Sequence, residues 1–199
     1  MTTMKPSDEL FEMHKAFEGM SHEAYVCPAG VLTIGIGHTE NGDGAAFPFD
    51  EKSKWTDAQI EEAWRHDMRQ ATDLANKLIY IPVSQGIFDA SVDLMFNAGA
   101  GCKTYLTYLN NKNLEAAADA LLQWIHARDP KTGHKVALLG LIKRRFADYA
   151  LFTGKASWKQ ISDCKLTSSN IKDFNALIRT LGYEICPDDS RKYVINKIE

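Results

Sequence analysis

Glu18, Cys27 and Thr33 are the side chains near the N-terminus whose types and spacing could do chemistry. Glu18 closes a run with apolar residues at Leu10, Met13 and Phe17, so it falls at the C-terminal end of a short amphipathic helix. The negative end of the helix dipole disfavours an anion there and favours a carboxyl group that keeps a proton to donate. Cys27 can act as a base or nucleophile once ionised, which requires a pKa below the unperturbed value of about 8.5. Plainer readings stand beside these: Glu18 as a solvated helix-end carboxylate, Cys27 as a small part-buried hydrophobe, Thr33 as an ordinary strand residue.

Other polar residues carry less. The six histidines include no helix-spaced pair with an adjacent glutamate, and Cys27, Cys102, Cys164 and Cys186 match no zinc spacing, so no metal site is expected. Gly35-Ile36-Gly37 lacks the strand-loop-helix context of a phosphate loop, and no cofactor is expected. The cysteines read as four thiols in a reducing compartment, with Cys164 and Cys186 the best candidates for a bridge. Asn97 either contacts a ligand or caps a helix end. Arg144 and Arg145 either pair with carboxylates or face an anionic partner, and a structural pairing is favoured for at least one.

The elements that must position these groups are legible in outline. Ser7 precedes Asp8 and Glu9 as a cap, and the first helix ends near Gly19. The runs 24–26 and 32–36, separated by Pro28-Ala29-Gly30, read as a hairpin. Period two puts Leu32, Ile34 and Ile36 on one face and Thr33, Gly35 and Gly37 on the other, a nearly bare face with room for a ligand. The stretch 39–54 is a loop or an irregular extra strand. Thr56-Asp57-Ala58-Gln59 then fits a capping box for a helix to about Leu78. Further helices are expected from Ser84 to Asn97, over 103–110, over 114–127 and over 138–152, and one carrying Ile171, Phe174, Leu177, Ile178 and Leu181 is capped by Ser168 or Ser169.

The run from Glu18-Gly19 through Ala24-Tyr25 and Cys27 to Thr33-Ile34-Gly35-Ile36-Gly37-His38-Thr39 resembles the active-site segment of the phage-type lysozymes, glycoside hydrolase family 24. That family has a Glu, then an Asp or sometimes a Cys nine positions on, then a Thr six further, and Glu18, Cys27 and Thr33 match. Phe96-Asn97-Ala98-Gly99 with Gly101, Leu109-Asn110, Trp124 and Gly140-Leu141-Ile142-Lys143-Arg144-Arg145 extend the likeness, in order, over about residues 8–154.

The resemblance implies an α+β fold. A small N-terminal lobe with a short hairpin sheet, about 19–54, and a larger helical lobe, about 55–154, flank a cleft; residues 155–199 lie outside the resemblance and are expected, from their own pattern, to form a C-terminal helical extension. It also implies a muramidase that hydrolyses the β-1,4 bond between N-acetylmuramic acid and N-acetylglucosamine in peptidoglycan. Glu18, Cys27 and Thr33 are then the catalytic residues, with Thr33 positioning the attacking water; Gly35 and Asn97 bind substrate, and His38 supports the cleft by hydrogen bonding.

Cleaving an acetal needs a proton on the leaving oxygen and stabilisation of an oxocarbenium-like centre, ordinarily from two carboxyl groups. Glu18 supplies the first. Cys27 has no carboxylate, so its thiolate would have to serve as base toward water or attack the anomeric carbon. With Asp in that place the family implies inversion; with Cys27 the stereochemical outcome stays open.

Bulk composition agrees with a folded domain: 199 residues, 45% hydrophobic and 25% charged, with a formal charge of -3. That charge argues against a nucleic-acid partner. No apolar run approaches the roughly 20 residues that span a bilayer, and Met1 to Lys15 carries five charged side chains, so neither signal peptide nor stable membrane insertion is expected. A monomer made in the host cytoplasm is expected to reach the cell wall through a separate membrane pore, the holin route of an endolysin. Alternatively, a secretion or injection machine delivers it as an antibacterial effector or baseplate enzyme. A non-catalytic glycan-binding module is the rival from another class, supported mainly by Cys27. The extension either docks on its own domain or binds wall or partner.

Overall fold

The computed structural model describes residues 3–27, 30–39, 46–129, 132–190 and 192–198. Helix α1, Asp8–Glu18, starts where the Ser7 hydroxyl accepts the N–H of Leu10 and where Asp8 and Glu9 meet the positive end of the dipole. Its buried face, Leu10, Phe11, Met13 and His14, turns into the main core. Gly19 ends it at φ +79, a conformation open to glycine at no steric cost.

Strands β1 (Ser21–Val26), β2 (Leu32–Gly35) and β3 (His38–Thr39) form an antiparallel sheet in that order. The expected hairpin is present, with Tyr25 opposite Thr33 and Val26 opposite Leu32; Pro28 and Ala29 of its turn lie outside the described residues. In the stretch read as loop or irregular strand, β3 and a Glu23–Lys54 bridge are extended, and residues 40–45 lie outside the description. Against this sheet Ile34, Phe49, Trp55, Ile60 and Ala63 build a small core of their own.

Helix α2, Asp57–Asp67, opens with the capping box between Thr56 and Gln59. It joins the two cores: Ile60 and Ala63 belong to the small one, Trp64 to the main one. The single helix expected to Leu78 is interrupted at the fully buried Met68, where ψ is -7, and α3 resumes over Arg69–Leu78. The break lets Ala71 and Ala75 face the main core.

Ser84 caps α4, Gln85–Ala98, which is buried from 87 to 95. A 3₁₀ turn at Gly99–Gly101, α5 (Lys103–Asn110) and α6 (Leu114–Leu121) follow. The helix expected to reach 127 stops early. Trp124 sits in the turn, and β4 (His126–Arg128) pairs with β5 (Lys135–Ala137). These three-residue strands are poor in β-branched types, so the pairing is imposed by tertiary context. Helix α7, Leu139–Thr153, approaches α4 so closely that a Cβ on Gly86 would meet the Leu151 carbonyl oxygen at 2.2 Å.

Beyond Gly154 the chain forms α8 (Trp158–Asp163), α9 (Ile171–Arg179) and an antiparallel hairpin of β6 (Tyr183–Asp188) and β7 (Lys192–Lys197). The reading of this stretch as helical is thus corrected: α9 lies where expected, but the hairpin was not foreseen. Phe174, Ile178, Tyr183 and Ile185 are buried in the main core. Fully burying an aromatic or aliphatic side chain of this size contributes about 1.5–3 kcal/mol. Polar ties add direction: Trp158 Nε1 donates to Glu9 at 3.0 Å, Tyr183 donates to Asp119, and Lys197 Nζ lies 2.8 Å from Glu115. All four cysteines are thiols, Cys164 and Cys186 included. Among the described residues no helix is long and apolar enough to cross a membrane.

Candidate active site

Glu18 ends α1 with its side chain 39% exposed, and Arg144 Nη1 of α7 donates to its Oε1. The helix-end position disfavours an anion, and the structure sets a guanidinium against that effect. Arg144 is itself buried. Its Nη2 and Nε lie 2.6 and 3.1 Å from Asp93 Oδ1, and Arg145 Nη2 donates to Asp93 Oδ2 at 2.5 Å. His14 Nε2, one turn before Glu18 on α1, is 2.7 Å from the same Asp93 Oδ1.

Asp93 is fully buried, and burial by itself opposes its charge. Arg144, Arg145 and His14 outweigh that and hold its carboxyl well below the usual range. Asp148, equally buried, is driven the other way: burial pushes it well above the usual range, and Asp93 adds to the push against the opposing pull of Arg145. Arg145 Nη2 lies 2.8 Å from Asp148 Oδ2 without the alignment of a hydrogen bond. Burial also works against the charge of Arg144, but Asp93 and Glu18 keep its pKa above the ordinary value. Both arginines are therefore paired with carboxylates, where pairing was expected for at least one.

Cys27 follows β1 and is half-buried. Its N–H donates to the Val31 carbonyl at 2.9 Å, and Gly30 N–H donates to the Cys27 carbonyl at 2.8 Å, closing the turn. The Thr33 hydroxyl donates to Val31 as well, at 3.0 Å. Its proton being used there, Thr33 Oγ1 meets any further partner as an acceptor. Thr33 is 3% exposed, more enclosed than a ligand-facing strand residue would be.

The expected open face is corrected at Gly35. That residue is buried at φ +66, and a Cβ there would meet Ile60 and Trp55 at 3.5 and 3.6 Å, the same side chains that pack with Ile34, so the positive φ turns Gly35 toward the small core instead of an open face. Gly37 is the open one, with nothing within 4 Å. His38 Nδ1 pairs with Asp67 at 2.9 Å, the supporting role expected of it; that hydrogen bond raises its pKa against the effect of burial. Asn97 is exposed near the end of α4, its Nδ2 donating to the Asp93 carbonyl one turn back at 3.0 Å, while Gly99 is the residue that caps the helix. Beside it Phe96, Met95, Gly99, Asp67, Gln70 and Leu74 line a hollow of about 470 Å³. Among the described residues no three His, Cys, Asp or Glu side chains are grouped to hold a metal ion.

Sequence reasoning missed His14 and Asp93. Signals existed: His14 stands four residues before Glu18 on one helix face, and Asp93, like Asp89, puts a charge in a largely apolar helical segment.

Two cores bridged by one helix, an acid at the end of the first helix and a small sheet beside it define a lysozyme-type fold. The phage lysozyme family model matches residues 15–148. The chain is 36% identical over 155 residues to the endolysin of Acyrthosiphon pisum secondary endosymbiont phage 1, spanning 75% of this chain and 98% of that one. It is 34% identical over 142 residues to the endolysin of Salmonella phage P22, spanning 69% and 90%. The solved endolysin from Escherichia coli O157:H7 phage FAHEc1 matches with a TM-score of 0.67 at 30% identity, over 78% of this chain and 98% of that one. The chain belongs to the phage lysozyme family, and it is a hydrolytic muramidase of the endolysin kind. The family match ends at residue 148, before the extension.

Proposed function

We propose that Glu18 protonates the glycosidic oxygen between N-acetylmuramic acid and N-acetylglucosamine, with Cys27 and Thr33 completing the catalytic set. The observation that carries this is the presentation of Glu18: it is the exposed member of an otherwise buried cluster of charges, held by Arg144. A protonated Glu18 supplies the leaving group with its proton; as the carboxylate forms, Arg144 is already in place as its donor.

Cys27 takes the place of the second carboxylate. As a thiolate it removes a proton from the attacking water, giving inversion, or attacks the anomeric carbon, giving retention. Thr33, with its own proton on Val31, accepts a hydrogen bond from that water. Asn97 and the hollow beside Phe96 offer contacts to the glycan, while Gly35 shapes the wall by packing under Trp55. Residues 1–154 make up the catalytic domain in this reading and 155–199 an appendage to it. The enzyme works as a monomer, delivered to the wall through a separate pore or a secretion machine.

Release of reducing ends from purified peptidoglycan by wild type, Glu18→Gln and Cys27→Ser tests the assignment. Loss in both variants supports it, and loss in Glu18→Gln alone reduces Cys27 to packing. A folded wild type that releases nothing across several peptidoglycans and pH values sinks the catalytic reading.

A further inference from the structure

We infer that Asp93 is a positioning residue for the glycosidic reaction, acting on Glu18 through Arg144; the inference rests on Glu18 being the acid. Asp93 lies at the centre of α4, completely buried, where a carboxylate persists only with full pairing. It engages the Nε and Nη2 edge of Arg144 at 3.1 and 2.6 Å, and that leaves Nη1 for Glu18. Two contacts on one edge fix the plane of a guanidinium, so Asp93 decides where the remaining donor points. The cluster draws on three elements: His14 and Glu18 from α1, Asp93 from α4, and Arg144, Arg145 and Asp148 from α7.

Asp93 also sets the field at Glu18. An uncompensated Arg144 would hold Glu18 as its anion down to lower pH, and an ionised Glu18 has no proton to donate. Asp93 on the opposite edge counters that charge. Arg145 stands behind Asp93, sharing it and flanked by Asp148, so Arg144 is the guanidinium that loses its counter-charge beside Glu18 when the Asp93 charge is removed.

A merely structural Asp93 would alter stability and leave the pH profile in place. The test is kcat/KM on solubilised peptidoglycan against pH for wild type, Asp93→Asn, Arg144→Gln and the double variant, with thermal unfolding to confirm folding. The alkaline limb, which reports the loss of the donor proton, is expected to move down by about one pH unit in Asp93→Asn and up in Arg144→Gln, with the double variant between them. KM is expected to stay within about twofold, because neither side chain binds the glycan. A folded Asp93→Asn with an unmoved limb, or limbs that shift in the same direction in both single variants, overturns the inference. If Asp93→Asn does not fold, Arg144→Lys carries the test: it keeps the charge and loses the two-contact edge, so kcat should fall about tenfold or more at unchanged KM. Wild-type kcat in Arg144→Lys overturns the positioning role. Full activity in Glu18→Gln is a different failure, that of the acid assignment itself.

Discussion

The backbone N–H of Cys27 and the hydroxyl of Thr33 converge on one acceptor, the carbonyl oxygen of Val31, at 2.9 and 3.0 Å. The turn after β1 and the middle of β2 are thereby locked together, and the free lone pairs of Thr33 are given a fixed direction. Thr33→Val keeps the shape and removes the acceptor. It is expected to lower kcat by about tenfold or more while changing stability by about 1 kcal/mol at most. Thr33→Ser should retain most activity, and a fully active Thr33→Val would return Thr33 to the role of a strand residue.

Cys27 can be tested by supplying the carboxylate it lacks. Cys27→Asp is expected to stay within about tenfold of wild type, and Cys27→Ala to lose about a hundredfold or more of kcat. Equal activity in the alanine and aspartate variants would mean that no group at this position does chemistry.

His38 and Asp67 tie the small sheet to α2. The hydrogen bond that His38 donates to the Asp67 carboxylate raises the imidazole above its ordinary 6.5. A histidine raised in the folded state contributes stability that is full below its unfolded pKa and is lost as pH rises through the folded one. Asp67→Asn should therefore cost about 1.5–3 kcal/mol near pH 5.5 and clearly less near pH 9, read from urea unfolding at both. A cost that does not change with pH would contradict the pairing.

Gly86 permits the close contact of α4 and α7. A methyl group there cannot coexist with the Leu151 carbonyl at 2.2 Å, so Gly86→Ala is expected to push the helices apart and to destabilise by at least about 2 kcal/mol. Chemical denaturation should register this at every pH, and a neutral outcome would show that the helices can separate freely.

Phe174 connects the extension to the rest of the molecule, its ring 5.9 Å from that of Phe146 and wholly buried. Phe174→Ala should cost about 3–5 kcal/mol in one cooperative transition. Two separate transitions would instead mark 155–199 as an independent unit.

Much of this was legible beforehand because it depends on near neighbours. Ser7, Thr56 and Ser84 cap the helices they were read to cap, since a cap reaches only three residues along the chain. The β1-β2 hairpin was visible for the same reason. The break at Met68, the early end of α6 and the β4-β5 pairing were not, because each depends on what lies across the core. The hairpin at 183–197 left a faint trace, Tyr183 and Ile185 alternating before Pro187 and Asp188.

By itself the sequence determined the family and with it the class of chemistry, and it nominated the acid: Glu18, Cys27 and Thr33 stand at set spacings inside a recognisable order of segments. Only the tertiary structure decided what surrounds that acid. Arg144 is 126 residues from Glu18 in the chain, and Asp93 lies between them on a third element. Gly35 was read as open because alternation describes one strand, whereas Trp55 and Ile60, which cover it, arrive from elsewhere. Local spacing reports the short-range terms of helix, cap and turn; the field at a carboxyl group is a sum over whatever charges folding brings within a few ångströms, and that sum exists only once the chain has closed on itself.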